Sequence, residues 1–257
     1  MTKNQLKALA KLKLKKYREE EKKFIIEGEH IITECIKSPI YRNLITDIIV
    51  ADNYQSFSII NKIQNYNIHY VSKKDLQKLS DTVTPQGIAA IVKFPHIQRP
   101  LNRNIIIALE EIKDPGNLGT IFRIAHWFGY YDMLISSSTV DYFNPKVIRA
   151  SQGSIFYINF HKENDFYKVL DELYCNGFEI LLTVPRNGQF LQEIKFLKDR
   201  KYILVLGNEA NGISNQLLKE TKYKKITIKG YSDCESLNVT TAASILLYEI
   251  RKQIPQI

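Results

Sequence analysis

The segment NLGTIFR (residues 117–123) places an amide and an arginine at the start of a predicted helix. It follows the apolar run IIIAL and a Pro-Gly turn, and apolar residues then recur at positions 121, 124, 125 and 128, which is helical spacing. Arg123 and Trp127 lie off this apolar stripe, one turn apart. An arginine in that position is suited to binding a phosphate through two parallel hydrogen bonds. The alternative is a surface arginine that stacks on an aromatic ring.

A second segment, GNEANGIS (residues 207–214), follows the apolar strand YILVL. Two glycines five residues apart resemble a phosphate-binding loop, but a P-loop requires lysine after the second glycine, where this chain has Ile213. No GxGxxG pattern follows a strand, which argues against a dinucleotide site. Glu209 remains as the acid of this turn. It is predicted to lie at the carboxyl end of a buried strand, where open α/β sheets bind their ligands.

A third segment, SLN (residues 236–238), precedes the last predicted helix. Ser236 and Asn238 lie at or near the N-cap, and these residue types are usual N-caps whether or not they take part in catalysis. The run of small residues TTAAS (residues 240–244) predicts close packing of the helix against a subunit partner or a tightly threaded chain.

The elements that must position these segments form an α/β alternation that begins at Asn104. Short, continuously apolar strands that alternate with helices indicate a parallel sheet covered on both faces. The predicted strands are Ile105–Leu109, Met133–Ser136, Phe156–Phe160, Phe178–Thr183, Tyr202–Leu206 and Lys225–Ile228.

Residues 1–95 predict a smaller α/β layer, and the proline-bracketed polar stretch at 96–103 predicts a linker. The layer begins with a helix whose predicted stripe is Leu6, Ala10, Leu14 and Tyr17. Its predicted strands are Phe24–Ile26, Asp47–Val50, Ile68–Val71 and Gly87–Phe94. We therefore expect two domains, 1–95 and 104–257.

Charge and cysteine content narrow the class of protein. The formal net charge is +9, and residues 1–23 hold eight Lys and one Arg against three Glu. Such a basic segment favours a nucleic-acid partner, although a solvated helix face is the alternative. Three widely spaced cysteines without a CxxC pair predict neither a disulfide framework nor a metal site. No apolar run is long enough to span a membrane, and the N-terminus lacks the pattern of a secretory signal, so we expect a cytoplasmic protein.

In this order and spacing, the three segments resemble motifs 1, 2 and 3 of the SpoU (TrmH-like) family of RNA 2'-O-ribose methyltransferases, in the SPOUT superfamily. The resemblance covers roughly residues 104–257, through NLGTIFR, LGNEANGIS and ITIKGYSDCESLNVTTAASILLYE, and RASQGS (149–154) is similar to the stretch between motifs 1 and 2. Residues 1–95 resemble the family's ribosomal-protein-like substrate-binding domain. The chain departs from the family at Lys229, where relatives often have proline.

The resemblance implies a role for each motif residue. It makes Arg123 the catalytic arginine, which Glu209 pairs with and orients. Asn117 organises the motif 1 loop, while Ser236 and Asn238 position the ribose and the active-site loop. It also implies a deep trefoil knot, a homodimer whose active sites use residues of both subunits, and S-adenosylmethionine as cofactor. The implied cofactor-binding residues are Thr183, Val184, Gly207, Ile228 and Leu237.

We therefore expect an enzyme that transfers a methyl group from S-adenosylmethionine to a ribose 2'-hydroxyl, with ribosomal RNA favoured over transfer RNA. The alternatives are a transfer RNA 2'-O-methyltransferase, a methyltransferase acting on a base, and a non-catalytic RNA-binding module. Arginine is a poor general base, so Arg123 is expected to stabilise the developing alkoxide and to clamp the adjacent phosphate. The proton acceptor is left open, because neither His126 nor His161 belongs to a motif.

Overall fold

The computed structural model describes residues 1–95, 99–101 and 103–255, and all side chains in these ranges except those of Phe57 and Ser58. Residues 96–98 and 102 of the predicted linker lie outside the described residues. The chain divides into two compact units. The first unit is Met1–Ile97 with Asp141–Phe156, and the second is Gln98–Val140 with Tyr157–Ile257.

Helices and strands alternate along both units. The strands are β1 Lys23–Glu27, β2 Ile45–Ala51, β3 Ile68–Val71, β4 Ile88–Lys93, β5 Ile105–Leu109, β6 Asp132–Ser136, β7 Asn159–Glu163, β8 Phe178–Thr183, β9 Gln189–Phe190, β10 Lys201–Leu206 and β11 Lys224–Thr227. The helices are α1 Lys3–Ala10, α2 Lys15–Glu21, α3 Glu29–Lys37, α4 Phe57–Ile63, α5 Lys73–Gln77, α6 Pro115–Trp127, α7 Pro145–Ser151, α8 Phe166–Cys175, α9 Asn215–Leu218 and α10 Val239–Gln253. No described helix has the length and hydropathy needed to cross a membrane.

The first unit contains a four-stranded sheet in the order β1-β4-β2-β3. Strand β4 is antiparallel to β1 and β2, whereas β2 and β3 run parallel. The four predicted strands of residues 1–95 are all present, because each is an apolar run bounded by polar or turn residues. Their buried side chains form a common core with those of the N-terminal segment.

The predicted single helix at the N-terminus is wrong at Leu14. A 3-10 turn at Lys11–Lys13 follows α1, and Leu14 then has extended backbone (φ −95°, ψ 134°) before α2 begins. The 3-10 turn has about three residues per turn, so the angular spacing of the α-helix is lost there. As a result the Leu14 side chain is 60% exposed, and Leu12 is buried in its place.

Arg18 holds this bend together from inside the first unit. Its side chain is only 2% exposed, and its Nη1 donates to the carbonyl oxygens of Leu12 (2.8 Å) and Lys13 (2.7 Å). Its Nε and Nη2 donate to Oδ2 of Asp141, at 3.0 and 2.5 Å. Phe143 also stacks on Phe24, with ring centroids 4.3 Å apart. These contacts fix residues 141–156 in the first unit, although the segment follows β6 in the chain.

The second unit is built on a seven-stranded parallel sheet in the order β7-β6-β5-β10-β8-β11-β9. The prediction of a parallel sheet is confirmed, and β5 and β8 have the predicted bounds. The predicted strand Phe156–Phe160 is wrong in its bounds. Residues Ser154–Tyr157 form a 3-10 turn, and β7 begins only at Asn159, which pairs with Asp132. A short apolar run is compatible with either a strand or a 3-10 turn, and tertiary packing determines which of the two forms.

We expect Asp141→Ala to lower the free energy of unfolding by about 3 kcal/mol, because it leaves the Arg18 guanidinium buried without its carboxylate. Because the Asp141 side chain is 16% exposed, the expected decrease in the free energy of unfolding is at the lower end of the range for buried ion pairs. Urea unfolding followed by circular dichroism measures the change. The matched control is Lys15→Ala, which removes an exposed pair with Glu19 and is expected to cost less than about 0.5 kcal/mol. Equal losses in the two variants would contradict this role of Arg18.

Candidate active site

The loops that carry the three motif segments converge at one edge of the second unit's sheet. Strands β5 and β10 are neighbours, and β11 is separated from β10 only by β8. All four strands are parallel, so their carboxyl ends lie at the same edge. The loops after β5, β10 and β11 therefore lie at the same edge, although Asn117 and Asn238 are 121 residues apart in the sequence.

The Glu209 carboxylate joins the first two of these loops. Its Oε2 accepts a hydrogen bond from the backbone amide of Lys113 (3.1 Å). Its Oε1 accepts from the backbone amide of Asp114 and from Nδ2 of Asn117, both at 3.1 Å. Partial burial raises the pKa of Glu209, but these hydrogen bonds outweigh it and hold the pKa below its usual value. The carboxylate thus acts as an anionic clamp on the loop that begins α6.

Asn117 extends the connection to the third loop. Its Oδ1 accepts a hydrogen bond from Nδ2 of Asn238 (3.4 Å), while its own Nδ2 donates to Glu209. Asn238 is the N-cap of α10, and its Oδ1 accepts from the backbone amide of Thr240 (2.8 Å). The structure therefore brings three of the five predicted catalytic residues, Asn117, Glu209 and Asn238, into one hydrogen-bonded chain.

Arg123 does not belong to this chain of contacts. It follows Asn117 by six helical residues, which turns its side chain by about 240° around α6. Arg123 is exposed and has no ion pair with any residue that the structure describes. The expected pairing of Glu209 with Arg123 is thus not made within one chain, because the Glu209 oxygens bind Asn117 and two backbone amides instead.

Ser236 lies in the long loop between β11 and α10, and residues 229–238 of this loop are all exposed. The Ser236 carbonyl oxygen is 3.5 Å from Sγ of Cys234. Its hydroxyl makes no hydrogen bond to the part of the chain that the structure describes. The hydroxyl is therefore available to a ligand in the adjacent cavity.

A cavity of about 1070 Å³ opens between these loops. All five predicted cofactor-binding residues line it: Thr183, Val184, Gly207, Ile228 and Leu237. Its size is at the upper end of that typical for small-molecule sites. The wall combines apolar side chains such as Val184 and Leu237 with polar ones such as Thr183, which fits a ligand that has both apolar and polar parts. Among the described residues no group of histidine, cysteine, aspartate and glutamate side chains is arranged to hold a metal ion.

Gly207 is essential to the shape of this cavity. A Cβ at this position would lie 2.4 Å from the backbone carbon of Gly212, far inside van der Waals contact. The loop from Gly207 to Gly212 closes on itself through two backbone hydrogen bonds between Asn208 and Gly212, both 2.9 Å. Only glycine allows this close approach of backbone to backbone.

Two supporting residues were missed by the sequence reasoning. Glu110 is buried at the end of β5, and its Oε2 accepts from the backbone amide of Ser214 (2.9 Å). Asn208 donates from Nδ2 to the carbonyl oxygen of Glu111 (2.8 Å). Glu111 has left-handed backbone (φ 57°), and its amide donates to Oγ of Ser136 (2.9 Å). The sequence did carry a signal for Glu110, because an acid directly after an apolar strand predicts a buried carboxylate that needs hydrogen-bond donors.

Comparison with known proteins gives a consistent result. Residues 104–248 match the SpoU rRNA Methylase family, and residues 3–90 match the MRM3-like substrate binding domain. The 23S rRNA (guanosine(2553)-2'-O)-methyltransferase RlmP of Bacillus subtilis is 35% identical, over 94% of this chain and 93% of that protein. The mitochondrial rRNA methyltransferase 3 of Mus musculus is 26% identical, over 95% of this chain and 70% of that protein.

Solved structures share the fold over nearly the whole chain. A TrmH-family protein from Porphyromonas gingivalis superposes with a TM-score of 0.85 and 27% identity, covering 98% of this chain and 99% of that one. The AdoMet-bound rRNA methyltransferase from Sinorhizobium meliloti gives a TM-score of 0.83 at 23% identity, covering 97% and 94% of the two chains.

We expect the side-chain carboxyl of Glu209 to titrate below the usual glutamate value of about 4.3. Because its folded-state pKa is depressed, its stabilising contacts are present above the unfolded value and are lost as pH falls through the folded value. Carbon-detected NMR of the carboxyl groups measures this titration. Asn117→Ala should raise the pKa of Glu209, since it removes one hydrogen-bond donor. Asn211→Ala, which lies in the loop of Glu209 itself, should leave that pKa unchanged. A Glu209 pKa that does not respond to Asn117→Ala would refute the clamp.

Proposed function

Because the chain belongs to the SpoU rRNA methylase family, we infer that it transfers the methyl group of S-adenosylmethionine to RNA, and we propose a ribose 2'-hydroxyl of ribosomal RNA as the acceptor. The observation that carries this proposal is the hydrogen-bonded chain of Glu209, Asn117 and Asn238 beside the cavity. It unites the three motif loops at the edge where parallel sheets bind ligands. The similarity to RlmP over nearly the full length of both proteins supports ribosomal RNA as the substrate.

The chain's own residues fit the cofactor. Thr183, Val184, Gly207, Ile228 and Leu237 would hold it through backbone groups and apolar walls. When bound, S-adenosylmethionine supplies an activated methyl group whose departure needs no acid. The enzyme must then position the ribose hydroxyl and help it to lose one proton. Ser236, which lines the cavity, would position the ribose.

Arg123 is proposed to stabilise the developing alkoxide and to clamp the neighbouring phosphate. Its guanidinium stays charged in proteins and is a poor proton acceptor, so the base is a different group. Since Arg123 points away from the Glu209 clamp of its own chain, we propose that each site is completed by the partner subunit's Arg123. This requires a homodimer.

The exposed face of α6 and α10 supports a homodimer. Trp127 of α6 is 85% exposed and Tyr248 of α10 is 55% exposed, and Ile245 of α10 is 38% exposed. Large apolar side chains grouped on adjacent helices favour burial against another surface. Thr241, one turn before Ile245, is small and exposed, so a second helix can approach closely there. Arg123 lies on the same face as Trp127, one turn earlier in α6.

The N-terminal region is proposed to bind the RNA substrate. Residues 3–90 match a substrate-binding domain, and the basic segment 1–23 supplies an attraction for phosphates that weakens with salt. The proposed domain limits are 1–95 and 104–257. We further propose that the C-terminal part is threaded as a trefoil knot and that the protein acts in the cytoplasm, as expected for a bacterial ribosomal RNA methyltransferase such as RlmP.

Arg123→Ala should lower methyl transfer by about 100-fold or more while leaving S-adenosylhomocysteine affinity unchanged, because the arginine acts on the ribose and phosphate. Transfer is measured on ribosomal and transfer RNA in parallel, followed by mass analysis of the nucleosides. A 2'-O-methylated nucleoside from ribosomal RNA is expected; a methylated base, or transfer RNA as the sole acceptor, would contradict the proposal.

Mixing the Arg123→Ala and Asn238→Ala proteins should restore part of the methyl transfer if each active site uses residues of both subunits. No recovery of activity would refute this sharing of sites.

Tyr248→Glu should convert the dimer to a monomer, because it places a charge in the proposed apolar interface. Sedimentation velocity measures the change in mass. Val83→Glu is the matched control, since Val83 is an exposed apolar residue of the first unit, and it should leave the dimer intact. A wild-type protein that sediments as a monomer would rule out the proposed assembly.

A further inference from the structure

Lys229 occupies an unusual position at the rim of the cavity. Its Nζ lies 5.5 Å from the ring centroid of Phe190 and 5.4 Å from that of Tyr231. All three side chains line the cavity. The ammonium group is therefore bracketed by two aromatic rings, each within the range of a cation–π contact.

One of the two rings is fixed by the sheet. Phe190 belongs to β9, which pairs with β11 so that Phe190 lies opposite Thr227. The amide of Gly188 donates to Oγ1 of Thr227 (3.0 Å), and a Cβ on Gly188 would lie 2.6 Å from that atom. The turn before β9 is therefore tightly bound to the strand that leads into Lys229. This pairing places Phe190 beside the strand that ends two residues before Lys229.

The positive charge of Lys229 is unpaired. No ion pair joins Lys229 to an acidic side chain in the part of the chain that the structure describes, and its side chain is exposed. Arg186 also lines the cavity, but none of the described aromatic rings makes a cation–π contact with it. A lysine already restrained by two rings loses less freedom on binding an anion than an unrestrained cation does. Lys229 is therefore expected to lose less conformational entropy than Arg186 when it binds an anion.

The same loop carries charges of the opposite sign. Asp233 and Glu235 follow Lys229 within six residues, and both line the cavity. A loop that presents an ammonium group at one end and carboxylates at the other is complementary to a zwitterion. The amino-acid end of S-adenosylmethionine is a zwitterion, with one carboxylate and one ammonium group. The carboxylate is the part that requires a cation.

We propose that Lys229 binds the carboxylate of the cofactor's amino-acid end and that Phe190 and Tyr231 position it for this contact. The proposal rests on S-adenosylmethionine being the cofactor of this cavity. Lys229 is then a determinant of cofactor specificity rather than a group acting on the ribose. Ligands that lack the carboxylate gain nothing from it.

The test is isothermal titration calorimetry on the full chain with two ligands, S-adenosylhomocysteine and its decarboxylated analogue. Lys229→Met should weaken S-adenosylhomocysteine binding by about fivefold, the size expected for an exposed charge pair. The same variant should bind the decarboxylated analogue as the wild type does. Lys229→Arg should retain most of the affinity for S-adenosylhomocysteine. Lys195→Met, which removes an exposed lysine that does not line the cavity, is the control and should change neither affinity.

Substitutions of Phe190 and Tyr231 test whether their rings position Lys229. Tyr231→Leu and Phe190→Leu should each weaken S-adenosylhomocysteine and spare the decarboxylated analogue, which repeats the ligand pattern of Lys229→Met. A general disturbance of the cavity would instead weaken both ligands equally, and that result would overturn the positioning role.

Two outcomes overturn the proposal for Lys229. They are an unchanged S-adenosylhomocysteine affinity in Lys229→Met and an equal loss of affinity for both ligands. If the wild type binds neither ligand, the proposed cofactor itself is refuted, and this result is distinct from the other two.

Discussion

One carboxylate joins the loops of the candidate active site. Glu209 gathers two backbone amides and the Asn117 side chain, and through Asn117 it reaches Asn238 at the N-cap of the last helix. The two amides belong to the residues just before α6 and Asn117 belongs to its first turn, and these polar groups need an acceptor. Because the carboxylate is charged and accepts three hydrogen bonds, it can bind the loops more firmly than a neutral acceptor would. Removing it would release the beginning of α6 and, through Asn117, the third loop.

The parallel sheet makes this clamp possible. Strands β5, β10, β8 and β11 lie in that order, so loops from distant parts of the sequence emerge together. Gly207 lets the middle loop fold back on Gly212 without a side chain between them. The remaining wall, residues 229–238, is exposed and has few contacts with the rest of the unit. In the proposed homodimer, a ligand and the second subunit would cover this wall, and Lys229 would lie at its edge.

The cations considered in the two units differ in their burial and in their ion pairs. In the first unit, Arg18 is almost completely buried and depends on Asp141, so this pair serves stability. In the second unit, Arg123 and Lys229 remain exposed without acidic partners among the described residues. A cation left without a partner at the edge of a cavity remains available to an anion. Arg18 is thus a structural cation, whereas Arg123 and Lys229 are the cations proposed to bind phosphate and carboxylate.

Strand composition and motif spacing are local properties, so the sequence by itself determined the parallel sheet and the positions of the three motif segments, whereas the cavity-lining residues followed from the family resemblance. It did not determine the break at Leu14 or the turn at Ser154–Tyr157, where local propensity was compatible with two conformations. It also suggested a pairing of Glu209 with Arg123 that one chain does not make, since the helical turn between Asn117 and Arg123 separates their side chains. Which donors satisfy a carboxylate depends on the order of strands in the sheet, and only the tertiary structure decides that order.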